Sequence, residues 1–96
     1  MNKGKVVLIS TSRYVPSRDE PLLRELIESK IELFCAVGID AQSWEDALDW
    51  LCVDIGSIDG PDITTTSHPG ETEDDVVEFA RQFFTERKHD VEIIRV

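Results

Sequence analysis

Positive charge is scarce in this sequence. Its 96 residues carry ten Lys and Arg against twenty Asp and Glu, a net charge of −10. None of the ten lies between residues 31 and 80, a stretch holding thirteen acids. Neutralising phosphates takes a basic footprint, so nucleic acid is not an expected partner. Long apolar runs are missing too. The first, Val6 to Ile9, has four residues, where a secretory core needs about 7–15 and a membrane span about 20. The expectation is a cytoplasmic protein without a membrane partner. Cysteine is limited to Cys35 and Cys52, far from any CxxC spacing. Both are read as small buried hydrophobes and not as a disulfide, a metal pair or a nucleophile. There is no GxGxxG and no GxxxxGK[ST], so nothing brings backbone close to a pyrophosphate, and no cofactor is expected. The GxSxG elbow is absent, which argues against serine hydrolase chemistry. HExxH and DxDxDG are absent as well, so no metal is expected.

What is present is an alternation of short apolar runs with stretches of 3.6-residue period. The length fits a single α/β domain over residues 1–96. Val6–Ile9 and Ile31–Val37, the latter closed by Gly38, read as strands buried on both faces. Ile63–Thr66 is a weaker strand, and Val91–Val96 carries charges that suit an edge. Three helices lie between them. Pro21 fits the first position of one whose apolar face is Leu22, Leu23, Leu26 and Ile27. Ser43 reads as the N-cap of the second, with Glu45 and Asp46 in its first turn and Trp44, Ala47, Leu48, Leu51, Cys52 and Ile55 as its stripe. Thr72 caps the third, which buries Val76, Val77, Ala80, Phe83 and Phe84.

The order β-α-β-α-β-α-β implies a three-layer α/β sandwich around a four-stranded, mostly parallel sheet, like half of a Rossmann or flavodoxin-like fold. The two most apolar strands belong in the centre, which favours the order 3-2-1-4 over 2-1-3-4.

Parallel sheets bind ligands outside the carboxyl ends of their strands. Three segments should share that rim. The connection from Ser10 to Glu20 exceeds the usual two to six residues and holds Ser10, Thr11, Ser12, Arg13 and Arg18. Gly38–Ser43 contributes Asp40. The turn after the third strand brings Ser67, His68 and Glu71. Arg13 or Arg18 could fork onto a phosphate or carboxylate. The alternative is a surface loop whose arginines pair with nearby acids. His68 is the candidate catalytic residue, as a general base oriented by a neighbouring acid; the alternative is a histidine hydrogen-bonded within its own turn.

Charge marks a second region. The thirteen acids of residues 31–80 face no internal cation from that stretch, and Asp49 and Asp54 have no helix start to stabilise. Such a surface suits a basic protein partner, or it keeps the protein soluble. Trp50 lies off the core stripe of its helix, either packed at a flank or serving as a contact anchor. Trp50, Asp49 and Asp54 are therefore interface candidates, for a basic partner or for a homodimer.

Gly38-Ile39-Asp40, Trp44-Glu45-Asp46-Ala47-Leu48-Asp49-Trp50-Leu51 and Thr64-Thr65-Thr66-Ser67-His68-Pro69-Gly70-Glu71 give the chain a resemblance to short bacterial α/β families classed as domains of unknown function. The resemblance covers nearly the whole chain and implies a fold, with no activity attached. Two functions follow from the residues themselves. One is a non-enzymatic interaction module working through the acidic surface. The other is a small ligand-binding domain or enzyme with an anion site on the sheet rim. Only the second requires Ser12, Arg13, Arg18, Asp40 and His68 to converge.

Overall fold

A computed structural model describes residues 4–29, 31–55, 63–83 and 90–96, with the side chains of residues 53–55 outside the description. The elements run β1 (Lys5–Ser10), α1 (Pro16–Glu28), β2 (Leu33–Gly38), α2 (Ala41–Ile55), β3 (Thr64–His68), α3 (Glu73–Gln82) and β4 (Val91–Arg95). The sheet is parallel throughout, in the order β3-β2-β1-β4. The expected fold class and strand order are both found. β1 and β2 are central because their side chains are apolar on both faces and need cover on both sides.

Alternation along the strands divides the core in two. Val6, Leu8, Phe34 and Ala36 face α1 and α2, packing on Leu23, Leu26, Ile27, Trp44 and Leu48. Val7, Ile9, Leu33, Cys35 and Val37 face α3, packing on Val76 and Ala80. Trp44 is wholly buried, and its Nε1 has no hydrogen-bond partner among the described residues. The edge of the Tyr14 ring meets it at 5.0 Å, so apolar and aromatic packing must outweigh the lost hydrogen bond, which costs about 1–3 kcal/mol.

Lys5 opens β1 on the α3 side and is 4% exposed. Its ammonium donates to the carbonyls of Arg81 (3.2 Å) and Phe83 (2.7 Å). A helix leaves its last carbonyls without intrahelical donors and carries partial negative charge at that end. A buried cation there answers both needs and pins the end of α3 to the sheet.

Three boundaries differ from the sequence expectation. First, α1 begins at Pro16, and Pro21 lies inside it. Pro16 offers the same first-turn signal five residues earlier, and the Asp19 carboxylate reaches back to accept the Val15 N–H at 2.8 Å. The connection after β1 therefore shrinks to Thr11–Val15, a length within the ordinary range. Second, α2 begins at Ala41, so Glu45 and Asp46 fall beyond its first turn and Ser43 is not its N-cap. Third, β3 runs on through Ser67 and His68, which pair beside Ala36 and Val37. Thr72 does cap α3, accepting the Asp75 N–H at 3.2 Å. Phe84, an expected core residue of that helix, lies outside the described residues.

Candidate functional site

The carboxyl rim of the sheet carries two groups of candidate residues. The first surrounds the end of β1. Ser10 Oγ donates to the Ser12 carbonyl at 2.5 Å. Thr11 donates to the Val96 carbonyl through both its N–H (2.8 Å) and its hydroxyl (2.7 Å). Arg18 forks onto Asp19 with two bonds of 2.8 Å, and its Nη2 also reaches Ser12 Oγ at 3.2 Å and the Arg13 carbonyl at 2.9 Å. The guanidinium is thus committed to holding the turn together. Its bonds are the main reason the Asp19 carboxyl sits below its ordinary pKa, with the Val15 N–H helping against the cost of burial.

Asp40 joins this group from the other side. It adopts φ 61°, a left-handed conformation that Asp tolerates better than most residues. The Ser43 side chain and the Tyr14 N–H hydrogen-bond its carboxylate, and with the nearby charge of Arg13 they lower its pKa. Arg13 itself is exposed.

The second group sits on β3. Ser67 points to the α2 side, donating to Gln42 Oε1 at 2.9 Å. His68 points to the α3 side and is 8% exposed. Its Nδ1 lies 2.8 Å from Glu71 Oε2, and its Nε2 lies 2.8 Å from Thr66 Oγ1. The ring stands edge-on to Phe79 with centroids 4.9 Å apart. Between the two groups lies β2. Two strand spacings separate β1 from β3, roughly 10 Å, and the side chains of Ser67 and His68 diverge to opposite faces. Arg13 and Arg18 therefore do not meet His68 over one centre.

Thr66 and Phe79 were not singled out from the sequence. Thr66 was legible in principle, since residues two apart on a strand share a face, but only once β3 extends to His68. Phe79 reaches His68 through tertiary packing, which no local spacing encodes.

On α2, Trp50 is 74% exposed. Asp49 accepts the Thr65 hydroxyl at 2.7 Å, and the Asp54 side chain lies outside the described residues. Asp46, one turn before Trp50, is exposed beside it. Among the described residues, no three or more His, Cys, Asp or Glu stand close enough to hold a metal ion. No helix among them is long and apolar enough to cross a membrane.

No curated protein and no solved structure matches the chain. A family model does, over residues 1–96, and the chain belongs to that family, the domain of unknown function DUF7684.

Proposed function

We propose that the protein is a cytoplasmic interaction module whose α2 surface receives a basic segment of a protein partner. The observation that carries this reading is the exposed indole of Trp50, one turn after the exposed Asp46, on a helix without a single Lys or Arg. A solvated indole face attracts a guanidinium or ammonium by about 0.5–1 kcal/mol. The Asp46 carboxylate on the same face and Asp49 at its border add charge pairing, and the net charge of −10 accelerates encounter with a cationic partner. A second copy of the same face would set these carboxylates against their own like charge. The separation of the rim residues into two groups also weighs against a shared anion site, because Arg18 already holds Asp19.

The test uses Trp fluorescence. Trp44 is buried and Trp50 is exposed, so a basic peptide docking on α2 changes the emission of Trp50. We expect an Arg-rich peptide to bind at low salt and release at high salt. Asp46→Asn and Asp49→Asn, and Trp50→Ala followed by calorimetry because it removes the reporter indole, should weaken binding more than Glu25→Gln and Glu28→Gln, which remove charge from α1. Equal weakening by both sets would mean a diffuse charge effect and would end the reading.

A further inference from the structure

The face of the sheet opposite α2 carries an arrangement that the α2 surface does not use. Thr66, His68 and Glu71 form one hydrogen-bonded line. An ionised carboxylate can only accept, so the bond from Glu71 Oε2 to His68 Nδ1, 2.8 Å long, places the imidazole proton on Nδ1. Nε2 is then an acceptor for Thr66 Oγ1 at 2.8 Å, a much shorter contact than the 3.5 Å from the same hydroxyl to the Phe34 carbonyl. A hydroxyl held by a base that a carboxylate orients is the working arrangement of an activated nucleophile.

Two features of the surroundings fit that chemistry. Thr66 is only half-buried, on a strand at the edge of the sheet. Phe79 is partly exposed beside His68, with Phe83 behind it at 5.7 Å, which offers an apolar wall. Cys35 also hydrogen-bonds Thr66, but its thiol is wholly buried and closed to a substrate.

We propose that Thr66 is a nucleophile, served by His68 as general base and Glu71 as its positioning residue, and that it hydrolyses small carboxylic esters with an apolar acyl group. Oγ1 bonds to the carbonyl carbon as its proton passes to Nε2. The ester C–O bond breaks, the alcohol leaves with that proton, and an acyl-threonine remains. Water then attacks the acyl carbon, gives a proton to Nε2, and releases the acid; the proton returns to Oγ1. The sum is ester plus water to acid plus alcohol.

The probe is p-nitrophenyl butyrate, followed by p-nitrophenolate release and by mass mapping of the acyl group. We expect a butyryl adduct on Thr66, absent in Thr66→Val and retained in Thr66→Ser. His68→Gln should slow acylation about a hundredfold or more. Glu71→Gln should slow it while leaving the thermal midpoint unchanged, because an amide that donates to Nδ1 forces the proton onto Nε2. An adduct confined to lysines, or release no faster than from Thr66→Val, overturns the proposal. The outcome is independent of Trp50, on the other side of the sheet.

Discussion

The Asp40 carboxylate accepts the backbone N–H of Tyr14 at 3.0 Å, joining two connections 26 residues apart in the chain. Through this bond the entry to α2 fixes the turn after β1, and the Tyr14 ring is brought edge-on to Trp44. Asp40→Ala removes the acceptor for both Tyr14 and Ser43 and leaves a residue that resists φ 61°. Asp40→Asn keeps an acceptor oxygen and tolerates the conformation. The expected order of thermal midpoints is therefore parent, then Asn, then Ala. Hydrogen exchange at the Tyr14 amide should quicken in the same order. Equal exchange in all three would show that this bond does not hold the turn.

Acid should act on the same region. Asp19 and Asp40 both have lowered pKa values, Asp19 chiefly through Arg18 and Asp40 chiefly through Ser43. In the unfolded chain these groups titrate near the ordinary value of about 3.9. The stability they contribute is complete above that pH and is lost as pH falls through their lower folded values. Asp19→Asn should lower the urea midpoint at neutral pH and flatten its further decline below about pH 4. An acid limb as steep as the parent's would assign the acid sensitivity elsewhere.

Gly38 and Gly70 offer a matched comparison. Both have positive φ, 98° and 81°. A Cβ at Gly38 would lie 2.3 Å from the Ser10 carbonyl oxygen, which cannot move freely because it accepts the Ile39 N–H. A Cβ at Gly70 would meet nothing within 4 Å. Gly70→Ala should therefore cost only the left-handed backbone penalty, about 1–2 kcal/mol. Gly38→Ala adds a steric clash and should cost more, about 3 kcal/mol or beyond. Urea denaturation of the two variants measures the gap, and a reversed order would contradict the close approach of β2 to Ser10.

The sheet was legible because its evidence is compositional. Val6–Ile9 and Leu33–Val37 are apolar on every position, and only a central place in a parallel sheet covers both faces. That reasoning favours the order β3-β2-β1-β4, the one found, over 2-1-3-4 without any tertiary information. The helix starts were less legible, because side-chain to backbone bonds decide them. The Asp19 carboxylate returning to Val15 is invisible to hydrophobic periodicity, which places the start at Pro21 instead of Pro16. β3 hid its end for a related reason. Ser67 and His68 are polar and read as loop, yet an edge strand accepts them when Gln42 and Glu71 satisfy their side chains. The Thr66–His68–Glu71 line was lost with that boundary, since only a strand places Thr66 and His68 on one face.

The two thiols should differ sharply in reactivity. The thiolate is the reactive form, and the fraction present depends on pKa and exposure together. Cys35 is wholly buried, and burial pushes its pKa up to about 11, against the opposing effects of the Thr66 hydroxyl and the Lys5 charge. At about pH 8 that leaves roughly one molecule in a thousand as thiolate, behind a closed core. Cys52 is partly exposed, with its pKa raised by burial and then by the Asp49 charge. A neutral maleimide suits the measurement, since an anionic reagent would be repelled by the net charge of −10. We expect Cys52 to be alkylated slowly in the native protein and Cys35 only through unfolding, so that denaturant accelerates Cys35 far more than Cys52. Mass mapping after brief labelling distinguishes the two sites. Equal labelling of both thiols in the native state would mean that the α3 side of the sheet opens readily, and the tight packing of Val76 and Ala80 over Cys35 would have to be given up.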